Sequence, residues 1–308
     1  MKITRRVLAL FFLLWVCSFF SRSAVADDLP TVSLPPYLDN LIAGPGTRES
    51  TQPLLQPQTY NERSISEFIG HFSGYQPMYF IAGPYDPAGK FEFSFKYQVF
   101  NKDAPLSKSI PTLSGLHLAY SQLSTWALNK PGEPLRDNNY MPEVFYSNED
   151  IKLIHIPGVS ELGLQTGYGH ESNGVGGTPN ERSINMLFFR PIFDFGDPEG
   201  LHFYIAPKAY IYVAGVPDNP DIAKYRGYCD LRMAAGWRQG LELSFLGRLG
   251  SDYNRGSVQF DLTYPIRDLL GNNVDLYLDA QYFNGYGETL IVYNQRTQAF
   301  RLGFALVR

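Results

Sequence analysis

The chain has 308 residues, of which 44% are hydrophobic, 15% aromatic and only 18% charged, with a formal net charge of −4. Its aromatic content excludes intrinsic disorder, and its acidic balance offers no footprint for nucleic acid. Beyond the N-terminus there is no apolar run of about 20 residues, which excludes a helical membrane bundle.

Lys2, Arg5 and Arg6 precede an apolar run from Val7 to Phe20, and Ala24-Val25-Ala26 forms an A-x-A site. This is the layout of a secretory signal peptide over residues 1–26. That segment carries four cations and no anion, so its removal takes the formal charge from −4 to −8. It also leaves Cys229 as the only cysteine, which rules out an internal disulfide. Residues 27–74 are Pro-rich without a period and read as an irregular lead-in.

From residue 75 to 308 the period is two almost throughout. Phe91, Phe93, Phe95, Tyr97 and Val99 alternate with Glu92, Ser94, Lys96 and Gln98; Val258, Phe260, Leu262 and Tyr264 alternate with Gln259, Asp261 and Thr263. Twelve such runs centre near Pro77, Phe91, Leu116, Val144, Leu162, Asn185, Phe203, Tyr225, Leu241, Val258, Leu276 and Phe300, the one near Val144 being the weakest. Runs of about 9 to 13 residues suit tilted strands that cross a bilayer, whereas sandwich strands usually have about 5 to 6. One face of each run is apolar and aromatic-rich. The other carries charges, including Arg226, Asp230, Arg232, Arg238, Asp261, Asp275 and Asp279.

The expected fold is therefore all-β, a 12-stranded antiparallel transmembrane β-barrel of the outer-membrane type, with lipid outside and a polar lumen. Closure satisfies every backbone hydrogen bond without a free edge. Export keeps the N-terminus periplasmic, so loops after odd runs lie outside the cell.

In the fifth run, Leu162, Leu164, Thr166 and Tyr168 share the outward face, and the phase carries His170 and Ser172 onto it. In the sixth, Asn185 shares its parity with Leu187, Phe189 and Phe193, so it can lie beside His170 across the hairpin. Such residues form a nucleophile (Ser172), a base (His170) and a group that orients the base (Asn185). Spacing alone leaves a second reading open, in which all three are polar residues of the barrel rim. Gln122 shares the outward face of the third run with Leu116, Leu118, Tyr120 and Trp126. An unpaired amide there costs several kcal/mol, which pairing with a second copy would remove.

The stretch Tyr168-Gly-His170-Glu-Ser172-Asn173-Gly174, followed by Arg182-Ser183-Ile184-Asn185, resembles the signature of the outer membrane phospholipase A family. Pro217-Asp218-Asn219-Pro220-Asp221-Ile222 and Asn284-Gly285-Tyr286-Gly287-Glu288 add to the likeness, and Tyr120-Ser121-Gln122 adds a weaker match. The resemblance runs from about Tyr75 to the C-terminus. It implies a twelve-stranded barrel that hydrolyses phospholipid acyl esters at both glycerol positions, with Ser172, His170 and Asn185 as its triad. It also implies a calcium-dependent homodimer in the outer membrane, with Gln122 at the dimer contact. The implied calcium ligands fall at Gly132 of one subunit, Val175 and Glu181 of the other, and Asp218 for a further site. Two departures stand out. The loop is one residue longer than usual, which sets Gly176 beside Val175 as an alternative, and Gly132 and Glu181 stand where the family carries serines.

No G-x-S-x-G elbow, H-E-x-x-H motif or P-loop is present, and His71, His117, His155 and His202 read as ordinary polar positions. Two alternatives remain open from the sequence. One is a passive pore or structural barrel. The other is a lipid A deacylase, against which Asn185 argues because such enzymes use an acidic third member.

Overall fold

The computed structural model describes residues 68–84, 87–128, 135–149, 151–152, 156–197, 200–214, 218–267 and 275–308. The expected signal segment, nearly all of the lead-in, His155 and Gly132 lie outside the described residues.

Twelve antiparallel strands form a closed barrel. In chain order they are β1 (Met78–Ala82), β2 (Gly89–Gln98), β3 (Leu116–Trp126), β4 (Leu135–Asn148), β5 (Val159–Ser172) and β6 (Ser183–Gly196). The second half comprises β7 (Leu201–Tyr212), β8 (Cys229–Trp237), β9 (Glu242–Leu249), β10 (Gly256–Pro265), β11 (Tyr277–Gly285) and β12 (Thr297–Val307). Each strand pairs with its sequence neighbours, and β12 closes on β1 through the register Leu302↔Ala82 to Ala305↔Tyr79. A three-residue strand, Phe72–Gly74, pairs with the far half of β2 (Phe72↔Tyr97), so the wall begins inside the expected lead-in.

Most runs became strands, with two instructive differences. The eighth was expected near Tyr225, but Ala223–Arg226 is a short helix, α1, and β8 starts only at Cys229. Pro220, ahead of the helix, has no N–H to give a ladder, and Gly227, with φ +66°, turns the chain out of the helix in a conformation that favours glycine. The weak run near Val144 is a 14-residue strand, β4. Asp137, Asn139 and Glu143 face inward on it while Asn138 and Tyr140 face outward, so neither face is apolar enough to show the period.

The outer surface is apolar, with Phe189, Ile211, Leu243 and Leu302 about half exposed. Inside, charges meet charges. Glu288 bridges Lys90 (3.3 Å) and Arg301 (2.7 Å), Lys208 reaches Glu143 (2.6 Å), Arg226 reaches Glu171 (2.9 Å) and Arg248 reaches Asp230 (3.1 Å). Buried ions persist only when paired and hydrogen-bonded, and this paired mixture lines the lumen. Arg226, Asp230, Arg232, Asp261 and Asp279 line that lumen as expected, and Arg238 lines a cavity at the mouth between Glu161 and Arg308. Asp275 does not face the lumen: it is exposed ahead of β11, before the alternation takes hold. No described helix is long and apolar enough to cross a membrane.

Candidate active site

β5 and β6 are 14 residues each and pair in register over nearly their full length, from Leu162↔Phe193 to Ser172↔Ser183. That register sets His170 directly opposite Asn185. Inward residues Gln165, Glu171, Ile184, Met186 and Phe188 are buried, while Tyr168, Leu187 and Phe189 on the other face are exposed. His170, Ser172 and Asn185 keep the outward parity and are each half-buried.

The His170 Nδ1–H donates to Asn185 Oδ1 at 2.8 Å. With the proton on Nδ1, Nε2 is left with a free lone pair, the form a general base requires. The Tyr168 hydroxyl donates to the same Asn185 oxygen at 2.5 Å. Ser172 shares the face two residues along, and no hydrogen bond joins its hydroxyl to His170 among the described residues. Catalytic hydrogen bonds are often open before substrate arrives.

The inner side of the hairpin is clamped. The Glu171 side chain, between base and nucleophile in sequence, points into the lumen and accepts from Asn139 Nδ2 and Arg226 Nη1, both at 2.9 Å. Asn139 Oδ1 in turn accepts the Leu290 N–H at 3.3 Å, which ties the loop between β11 and β12 behind the site. At the hairpin tip, the buried Asn173 accepts from the Val175 and Arg182 N–H groups (3.3 and 3.1 Å) and donates to the Asn180 carbonyl (2.8 Å). Gly174 follows with φ +69°, and a side chain there would meet the Tyr140 ring at 2.6 Å.

Each residue that the resemblance gave as a metal ligand has a definite place, apart from Gly132. Val175 is exposed at the hairpin tip. Glu181 Oε2 accepts the Gly177 N–H at 2.7 Å, leaving its second oxygen uncommitted. Asp218 Oδ2 accepts from Ser183 Oγ at 3.0 Å, one cross-strand step from Ser172, and Asn219 Nδ2 donates to the Ser183 carbonyl at 2.6 Å. No cluster of three or more His, Cys, Asp or Glu suited to a metal occurs among the described residues. Nearby, Tyr293 donates to Asp221 Oδ1 at 2.6 Å; burial and that carboxylate push its phenol up to about 12, so it stays a neutral donor. Gln122 faces outward yet is buried: its Oε1 accepts from the Tyr120 hydroxyl (3.0 Å) and its Nε2 donates to Ser124 Oγ (3.1 Å). The expected cost of an unpaired amide is therefore already relieved in part within its own strand.

Tyr168, Glu171 and Asn173 were missed as site residues. Parity would have found the first two, since Tyr168 shares the face of His170 and Glu171 is a carboxylate on the lumen side. The capping role of Asn173 has no periodic signal.

The family model described as Phospholipase A1 matches residues 82–306. Phospholipase A1 of Escherichia coli strain K12 is 34% identical over 185 residues, covering 59% of this chain and 58% of that protein. Phospholipase A1 of Klebsiella pneumoniae is 31% identical over 194 residues, covering 62% of each. The matched region thus spans under two thirds of the length of these curated relatives. Among solved structures, outer membrane phospholipase A from Escherichia coli superposes with a TM-score of 0.63 at 26% identity, covering 76% of this chain and 98% of that one. The Salmonella typhi outer membrane phospholipase, a dimer with bound calcium, gives a TM-score of 0.63 at 24% identity over 76% and 91% of the two chains, a likeness of fold.

Proposed function

The chain belongs to the phospholipase A1 family, and from that premise we propose that it hydrolyses phospholipid acyl esters at the outward face of the bacterial outer membrane. The observation that carries this reading is the His170–Asn185 hydrogen bond on the lipid-facing side of the hairpin, with Ser172 on the same face.

In this reading the Ser172 hydroxyl passes its proton to His170 Nε2 as its oxygen attacks the ester carbonyl. His170 then protonates the departing alcohol of the lysophospholipid. The acyl-serine ester is cleaved by a water whose proton His170 accepts, releasing the fatty acid. Asn185 holds the imidazole in the useful tautomer throughout. The Ser172 backbone N–H is the proposed oxyanion donor from the chain itself, and such donors are typically worth about 3 to 4 kcal/mol.

Calcium fits the available donors, because Val175 offers a carbonyl and Glu181 and Asp218 offer carboxylates with an oxygen to spare, all hard oxygen ligands. Val175 and Glu181 of one copy with Gly132 of the other would hold one ion, which when bound supplies positive charge for the developing oxyanion, and Asp218 would serve a further site. Gln122 supports a homodimer in the same reading: its amide keeps one N–H and one lone pair beyond the bonds to Tyr120 and Ser124. Residues 1–26 would be the export signal removed on the way to the outer membrane.

Fatty-acid release from mixed phospholipid micelles by the refolded protein tests the proposal, with calcium or with chelator, beside Ser172→Ala. Calcium-dependent release that vanishes in the variant is the expected result. Release that persists in folded Ser172→Ala would overturn the nucleophile, and release unchanged by chelator would overturn the metal.

A further inference from the structure

We infer that Tyr168 is a positioning residue of this site, its phenol fixing which end of the Asn185 amide faces His170. The inference rests on the triad reading above and deepens it.

The geometry is specific. Tyr168 and His170 stand two residues apart on the outer face of β5, and Asn185 lies opposite His170, diagonal to Tyr168. Both neighbours donate to one atom: Asn185 Oδ1 accepts the His170 Nδ1–H at 2.8 Å and the Tyr168 O–H at 2.5 Å. An amide oxygen has two lone pairs, so these two donors fill it.

An asparagine differs here from a carboxylate in having a wrong way round. Turned by 180°, the amide would present N–H groups to His170. Nδ1 would then have to accept, the imidazole proton would move to Nε2, and Nε2 could no longer take the proton of Ser172. Nothing in the His170–Asn185 pair alone forbids this, because an imidazole meets either end of an amide by changing tautomer. The phenol breaks the tie. In the turned state its O–H would lose this acceptor, its direct cross-strand neighbours Val144 and Leu187 offer none, and an unmade hydrogen bond there is costly. Tyr168 thereby supplies by hydrogen bonding the orientation that an aspartate would supply by its two equivalent oxygens. The ring is about two-fifths exposed, so removing only the hydroxyl opens no cavity.

The test is a double-mutant cycle on the refolded full chain in calcium-containing mixed micelles, with folding checked by heat-dependent gel migration. Tyr168→Phe should lower kcat by about 3- to 10-fold, the range of one net hydrogen bond, with KM unchanged. The loss should be absent when the same change is made in Asn185→Ala, and absent again in Asn185→Asp, whose carboxylate has no wrong face. A wild-type kcat in Tyr168→Phe would overturn the inference. A loss that persists undiminished in Asn185→Ala would overturn it too, because the phenol would then act on substrate and not through the amide. An unchanged rate in Asn185→Ala alone would overturn the triad reading beneath it, a result distinct from either.

Discussion

The two faces of the β5–β6 hairpin are built on opposite principles. Inward, Glu171, Ile184, Met186, Phe188 and Arg190 are all buried, and the two charged ones are hydrogen-bonded within the lumen. Outward, His170, Ser172 and Asn185 are half-buried and share only the bonds that converge on one amide oxygen. Saturated contacts on one side of a strand fix its position, and because side chains alternate, they fix the other side as well. The face toward lipid can then leave a hydroxyl and a ring nitrogen uncommitted, as the proposed hydrolysis requires.

Substitutions should separate the two faces, one changing rate and the other stability. Ser172→Ala should have the largest effect, lowering kcat by on the order of 10³-fold or more at unchanged stability, as removing a nucleophile does elsewhere; fatty-acid release and denaturant unfolding of the same preparation check both halves. Glu171→Ala should do the reverse. It leaves Arg226 buried and unpaired, at a cost of about 3 to 5 kcal/mol in unfolding free energy, readable from urea titration in lipid vesicles. Asn185→Ala should lower kcat by about 10- to 100-fold, clearly less than Ser172→Ala, since nucleophile and base both remain and only the partner that orients His170 is lost. Equal residual rates in the two variants would contradict their division of labour.

The smallest effect belongs to the far end of the barrel. Burial raises the Glu149 carboxyl, but its bond to Lys96 at 2.5 Å outweighs this and holds it below the usual carboxylate range. The pair therefore adds stability above the ordinary glutamate pKa and loses it as pH falls through the lowered value. Glu149 is more than half exposed, so solvent screening limits the pair to about 0 to 1 kcal/mol. Glu149→Gln should leave kcat unchanged and slightly flatten the acid limb of stability, which an unfolding series from pH 6 to 3 would register.

How far the sequence carried these distinctions depended on contrast between faces. Where lipid lies on one side and the polar lumen on the other, as along Val258–Tyr264, alternation located the strand and its parity. The same rule put His170, Ser172 and Asn185 on one face. It faded along β4, where Asp137, Asn139, Asn138 and Tyr140 make both faces polar, and it misplaced the eighth strand because Tyr225 lies in the short helix that follows Pro220. Tertiary partners were not legible at all. The clamp from Arg226 to Glu171 spans 55 positions and that from Leu290 to Asn139 spans 151. No periodicity announces such pairings; the closed barrel creates them.

The most direct test of the central claim, that the outward face of this hairpin carries the nucleophile, is covalent labelling with a long-chain alkyl fluorophosphonate in calcium-containing mixed micelles, followed by peptide mass mapping. A single adduct on Ser172 that is lost in His170→Ala is the expected result. An adduct on a different serine, or an unlabelled Ser172 in protein that still releases fatty acid, would contradict it.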